Sequence, residues 1–412
     1  MSDEVNEYYQ EWVAIESLTL SNFGGKTIDL KPYFLAIDIQ EDLFMPVCSG
    51  NITIIDVDNI YETFPIIGEE TIKITYRDFY SSSTTRTFNI FGIENRERTT
   101  EKGSVYILNF CSEELLSNRN TIYSKSYKDK LVHEIFSDAF GRCSPSKGVN
   151  IQATMELQDY VVPNLYPFDV CAQMANRAIS TEKQTGSYLF YEDKNQFNFV
   201  SIEKLIQGGT TQYLIGNANI AASVGKYIFK NYKYHKPADN VTGKMSGAQG
   251  VEAKKLDLFN RKMEDESYDH FGDDYTKINR VNTPNPDLKT QSSAYKHTST
   301  KGLSKLIIKH DEEYNPKSSK NKTLAKRYNV FSSYANGPKI WAELPFNSEL
   351  TVGMMINIDI PKMTGNKETD VPENDIYIQG KYIITAMRQI IRPDHGETVV
   401  ELAKDSYTQS HG

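Results

Sequence analysis

Gly25-Lys26-Thr27 has the form of the tail of a phosphate-binding loop, in which backbone N–H groups cradle a polyphosphate and the lysine reaches its outer oxygens. The signature also needs a glycine five residues before the second glycine, about one turn of loop earlier, and position 20 is Leu. The following IDLKPY reads as a strand ended by Pro32, so no helix N-terminus is offered to a phosphate and a hairpin is expected. Asp56-Val57-Asp58-Asn59 opens like a calcium loop, but Tyr61 and Ile67 stand where that loop needs Gly and Glu. A strand-end turn is the better reading. His270 in DHFGDD and His310 in HDEE have carboxylates beside them that could join them on a metal, yet neither lies on a rigid element. Glu113-Glu114 and Glu312-Glu313 are carboxylate pairs, but chain neighbours point apart or into water. No Gly-x-Ser-x-Gly, His-Glu-x-x-His or Cys with a His partner is present. Asn51, Asn240 and Asn321 begin glycosylation triplets, which carry no weight without a secretion signal.

The aromatic and basic stretch from Lys226 to Lys236 carries Tyr227, Phe229, Tyr232 and Tyr234 among lysines. It could stack single-stranded nucleic acid. In a chain of net charge −8 the better reading is a strand whose rings pack on a neighbouring subunit while the lysines stay wet. Together with Tyr382 and Arg388 on a later strand, these are the candidate subunit or partner contacts. The chain has 26 Tyr against 2 Trp, and tyrosine suits interfaces that are apolar at one end and wet at the other. No catalytic residue, metal ligand or cofactor is expected.

The 412 residues exceed one compact core. The first residues, MSDEVNEYYQEW, are acidic and lack an apolar stretch, so no secretory signal is read there, and no apolar run is long enough for a membrane span. Cys48, Cys111, Cys143 and Cys171 lack metal-ligand spacing and read as free thiols of a reducing compartment.

The elements that would position the interface residues are mostly strands. Met354, Ile356, Ile358 and Ile360 fall on one face and Met355, Asn357 and Asp359 on the other, up to Pro361; GKYIITAMRQIIR and ETVVELA follow, separated by Pro393, Asp394 and Gly396. The same plan occurs early: a strand after Gly68, a Ser/Thr loop, the long basic-ended RTFNIFGIENRER, then Gly103 and SVYILNFCSEE. We read two copies of one small antiparallel β-barrel, with strand candidates at 12–20, 26–31, 51–57, 69–79, 86–98 and 104–112 in the first. Between them an α+β insert is expected, with a helix over 127–140, a short strand near 149–155, a Pro167-led helix and a strand pair meeting at Lys194-Asn195. The fold class is therefore mainly β with an α+β insert. The predicted division is 1–112 as the first barrel, 113–224 as the insert, 225–240 with 336–405 as the second barrel, 241–335 as a polar wrap completing the insert, and 406–412 as a tail. A helix over 324–334 leads into the last strands.

This order, with VVPNLYPFDVCAQMANRAIS in the insert and VGMMINIDIP, GKYIITAMRQIIR and TVVELAKDS at the end, resembles the central baseplate-hub proteins of T-even-type contractile phages. Those are similar to the N-terminal part of type VI secretion spikes. The resemblance covers nearly the whole chain in order, through motifs without a chemical signature, and the stretch 236–330 has no counterpart in it. It implies two tail-tube-like barrels per chain and a homotrimer that adapts a sixfold tail tube to a threefold spike. It further implies a spike or lysozyme-type partner, tail-tube or tube-initiator proteins, a tape-measure protein, inner baseplate proteins, DNA passing through the bore without specific binding, no membrane, and a place in the virion tail after assembly in the host cytoplasm. The rival readings are a tail-associated cell-wall or polysaccharide hydrolase, with Glu312 and Asp274 as its candidate pair, and a receptor-binding tail protein, against which the scarcity of Trp argues.

Overall fold

The computed structural model describes residues 12–79, 81–98, 103–182, 185–208, 211–215, 229–236, 242, 245, 246, 250–257, 261–269, 280–282, 304–309, 320–360, 375 and 378–406. The first strands are β1 (Val13–Ser21), β2 (Thr27–Asp29), β3 (Phe34–Asp42), β4 (Ser49–Asp56), β5 (Thr71–Asp78), β6 (Thr84–Arg98) and β7 (Ser104–Cys111). A mixed segment holds β8 (Tyr123–Leu131), β9 (Val149–Ile151), β10 (Leu157–Leu165), β11 (Tyr188–Glu192) and β12 (Phe197–Ser201), with helices Glu113–Arg119, Val132–Gly141, Pro167–Arg177 and Ile202–Gly208. Then come β13 (Thr211–Ile215), β14 (Asn231–Lys236), β15 (Gly250–Asp257), β16 (Lys262–Asp269) and β17 (Ser304–Lys309). Helix Lys320–Asn336 leads to β18 (Lys339–Pro345), β19 (Met355–Asp359), β20 (Gly380–Ile391) and β21 (Gly396–Ala403).

The fold is mainly β. Both ends of the chain enter one 13-stranded, largely antiparallel sheet. The N-terminal strands run β2-β1-β5-β6-β7-β4-β3, and the C-terminal strands run β13-β19-β20-β21-β18-β14. Alternation makes the strands: β4 and β5 bury every second side chain throughout, and β21 does so up to Leu402. The order β5-β6-β7-β4 is repeated by β19-β20-β21-β18, and β3 and β14 add antiparallel to β4 and β18. The copies differ at one flank: β1 runs antiparallel to β5, whereas β13 runs parallel to β19. Each half encloses its own apolar core, one around Leu18, Ile72, Phe88, Tyr106 and Phe110, the other around Ile340, Ile356, Ile358, Ile384 and Leu402.

The strand sets expected as two barrels are hydrogen-bonded into one sheet through β20. Its first part pairs with β19, and Ala386–Ile391 pairs with β3. β3 and β18 were not foreseen as strands. Nor was β8, because the polar YSKSYKDKL buries little along one side and the helix expected from 127 begins only at Val132. The hairpin expected at Gly25 is present: Lys26 N donates to Asn22 Oδ1 at 2.9 Å, and Gly25 takes φ 78°, a left-handed value that favours glycine. Asp56 caps the short Ile60–Thr63 helix through the Ile60 and Tyr61 amides at 2.8 and 3.1 Å, so the calcium-like string is a turn. Within the span assigned to the insert, Pro167 starts its helix as foreseen, and an aromatic core joins Phe136, Phe140, Phe168, Phe190 and Phe199. Thr211–Ile215, from the same span, pairs with β19 in the large sheet instead. In the polar wrap, β16-β15-β17 form a small separate sheet. Four cysteines are free and buried, and no helix among the described residues is long and apolar enough to cross a membrane.

The halves and the mixed segment meet at buried carboxylates. Glu41 on β3 accepts from Arg86 NH1 at 2.6 Å and Thr351 Oγ1 at 2.6 Å, and from the Val352 amide at 3.3 Å. Both members of the Arg86–Glu41 pair are almost fully enclosed, with side chains 1% and 0% exposed. Burial alone would raise the Asp78 carboxyl, but donors from Ser81 and Ser348 outweigh it and hold it below the usual range. Tyr76 Oη donates to Gln389 Oε1 at 3.3 Å across the two halves. Glu192 of the mixed segment accepts from the Cys48 amide at 2.7 Å and Ser112 Oγ at 2.5 Å, and pairs with Lys147.

Removing one partner of an enclosed ion pair strands the other, so Glu41→Ala is expected to cost about 3–5 kcal/mol in denaturant unfolding. The apolar double variant Glu41→Leu with Arg86→Met recovers most of that loss. A Cβ on Gly50 would sit 2.1 Å from the Asp38 carbonyl oxygen and 2.6 Å from the Phe110 ring. Gly50→Ala therefore lowers the unfolding midpoint by an amount equivalent to about 1–3 kcal/mol, measured by the same titration.

Candidate subunit interface

The seam inside the chain shows how one half of this sheet can hold another. β20 and β3 pair antiparallel from Ala386↔Asp42 to Ile391↔Ile37. Main-chain bonds supply the adhesion, and a diagonal ion pair fixes the register. Arg388 Nε and a second guanidinium nitrogen reach Asp38 Oδ2 at 2.7 and 2.5 Å. The Asp38 side chain is 6% exposed beneath a guanidinium that remains 54% exposed, so the carboxylate is shielded while the cation keeps its water. Phe346 and Ile391 of the C-terminal half project into the N-terminal core, which adds apolar contact to the ladder.

The six residues singled out as contacts fall in different places. Arg388 is exposed on β20 and holds the seam with Asp38. Tyr232 and Tyr234 are half-buried on β14 and pack against the C-terminal core. Phe229 is a correction: it lies in that core, 7% exposed. Tyr382 is a second one, at 0% exposure, with its hydroxyl donating to Ile378 O at 2.7 Å and the Lys404 amine 4.6 Å from its ring centre. Both rings are spent on the chain's own packing: Phe229 just ahead of β14, and Tyr382 in a part of β20 that is buried on both faces. Burial brings the Lys404 ammonium down to about 7. Tyr227 lies outside the described residues.

Sequence reasoning missed Asp38, Glu41 and Arg86. His270, His310, Asp274 and Glu312 lie outside the described residues. Glu114, from the first carboxylate pair, is buried and accepts from the Ser146 amide and hydroxyl at 3.0 and 2.9 Å. It lines a polar recess of about 190 Å³ with Arg86, Lys147 and Lys194. Each of these cations has its own structural partner: Arg86 has Glu41, Lys147 has Glu192, and Lys194 donates to the Ser348 carbonyl at 2.6 Å. Among the described residues no group of three His, Cys, Asp or Glu side chains is placed to hold a metal.

No protein-family model matches the chain. Over 386 residues it is 19% identical to the protein named "Probable baseplate hub protein gp334" of Vibrio phage KVP40, covering 87% of this chain and 86% of that one. The fold is similar to that of a tail protein from Neisseria meningitidis MC58, with a TM-score of 0.56 and 10% identity over 95% of this chain and 96% of that one. It is equally similar to the 43 kDa tail protein of prophage MuSo2 from Shewanella oneidensis, again with a TM-score of 0.56 and 10% identity, over 95% and 99% of the two chains. A Francisella chain from a PdpA–VgrG complex aligns at a TM-score of 0.51 and 11% identity, with 97% of this chain matched to 54% of that one. The resemblance read from the sequence is thus met in both sequence and fold: the chain is similar to a baseplate hub protein and has the fold of phage tail proteins.

Proposed function

We propose that this protein is the structural hub of a contractile-tail baseplate in a virion, acting by assembly and without catalysis. The observation that carries the reading is similarity over 87% of the chain to a protein named "Probable baseplate hub protein gp334", joined to a sheet that repeats one strand order in its two halves. A chain with two equivalent halves lets three copies present six like surfaces, so a threefold ring can match a sixfold tube on one side and a threefold spike on the other. In this reading the 1–112 span and the 225–240 with 336–405 spans form the ring together with Thr211–Ile215, while the rest of the 113–224 insert and the 241–335 wrap widen it toward the spike. The partners are a spike or lysozyme-type protein, tail-tube or tube-initiator proteins, the tape-measure protein and inner baseplate proteins. A net charge of −8 suits a bore that DNA passes without sticking.

Light scattering coupled to size-exclusion chromatography tests this reading. The expected result is a mass of three copies, alone or on addition of the spike protein from the same tail. A monomer at every concentration, with and without that spike, contradicts it.

A further inference from the structure

The inner seam has an unfilled twin. Both long strands bulge at the same point, and around it the two halves match rung by rung as far as Glu94 and Arg388, after which β6 bulges a second time. Ile90 faces Phe110 and Ile384 faces Leu402; after one bulged residue, Gly92 faces Asn109 and Ala386 faces Glu401. The rung continues Asn109–Asn51–Asp38 in one half and Glu401–Trp341–Lys233 in the other. Asp38 and Lys233 therefore hold the same place. Two residues beyond the shared rung on the long strands, Arg388 and Glu94 also hold the same place. The packing agrees: Met387 and Ile93, just before them, both turn toward their cores.

In the C-terminal half, the edge of β20 past the bulge is taken by β3. The equivalent edge of β6, from Gly92 onward, has no strand neighbour among the described residues, since β5 pairs with β6 only as far as Asn89. β14, the counterpart of β3, ends the sheet with β18 as its one strand neighbour among the described residues. Glu94 and Lys233 are both exposed, and neither has an ion-pair partner among the described residues. Arg96, nearby, is spent on the Tyr61 ring 4.1 Å away. The molecule thus carries at its two ends the two faces of one seam, with the charges exchanged.

We propose that β6 from Gly92 onward pairs with β14 of a second copy of this chain, with Glu94 and the partner's Lys233 repeating the Arg388–Asp38 pair in reversed polarity. The reversal specifies alternation. Setting β6 against β3 would bring Glu94 to Asp38, and setting β20 against β14 would bring Arg388 to Lys233; both are like-charge contacts. Only N-terminal half to C-terminal half is favourable at either seam. The contact is head-to-tail, so it does not stop at a twofold dimer, and with a rotation of one third of a turn per copy it closes the proposed ring of three. This inference rests on the ring proposed above and adds the strands and the pair that close it.

Sedimentation velocity on the wild type, Glu94→Lys, Lys233→Glu and the double reversal, across a range of concentrations and two salt levels, tests it. Each single variant is expected to associate at least about tenfold more weakly at low salt. The double reversal should return to within about threefold of the wild type, because opposite charges face again. Both positions are exposed, so melting curves of all four proteins should coincide when each is held as a monomer by dilution. A wild-type trimer that neither single reversal weakens overturns the seam and leaves the threefold hub standing. Single reversals that weaken the trimer with no recovery in the double also overturn the pairing. A wild type that stays monomeric at every concentration, with and without the spike protein of the same tail, overturns both the ring and its seam.

Discussion

β20 belongs to two halves of the molecule at once, and the architecture depends on that sharing. Its first residues complete the C-terminal arrangement against β19, and past the bulge at Thr385 it becomes the neighbour of β3. A strand of 12 residues is long enough to serve both. The bulge adds local twist, which turns the second part away from one partner and toward the next. Main-chain pairing alone would tolerate slippage. The Arg388–Asp38 pair and the apolar insertion of Phe346 and Ile391 remove that freedom, because a one-residue slip would turn those side chains to the wrong face.

Behind the shared strand lies a second constraint, the enclosure of charge. Glu41 and Arg86 are as dry as the surrounding core and bring together β3, β6 and the turn before β19. Such pairs give little net stability but penalise every arrangement in which one partner is left alone. Glu192 does the same for the mixed segment, collecting the Cys48 amide, the Ser112 hydroxyl and the Lys147 amine. The three parts are therefore held in a defined relation by polar contacts that only one geometry satisfies. In the proposed ring, that rigidity would keep the six surfaces equivalent, which a loose joint would not.

The sequence revealed the end of the chain best. β19 from Ile356 and β21 up to Leu402 alternate, and Gly380, Pro393 and Gly396 mark the limits of the last two strands. It concealed β3, the strand on which the seam is built. FLAIDIQED follows Pro32, is interrupted by a bulge between Phe34 and Ala36, and carries acids that look solvated. Asp38 and Glu41 are buried because their cations, Arg388 and Arg86, come from 350 and 45 residues away in the chain, a separation no local pattern records. The misplaced interface rings have a similar cause. Tyr382 and Phe229 sit in stretches that look amphipathic, and only the completed sheet determines which of their two faces is the inner one.

In the proposed assembly one chain carries two equivalent halves so that three copies form a continuous ring of six. A cryo-EM reconstruction of the purified assembly, refined without imposed symmetry, tests it most directly. The expected map has three copies around a channel, the two halves of each related by about one sixth of a turn, and main-chain pairing of β6 with β14 at every junction between copies. Copies that meet through other surfaces, or halves that do not superpose about the channel axis, would contradict it.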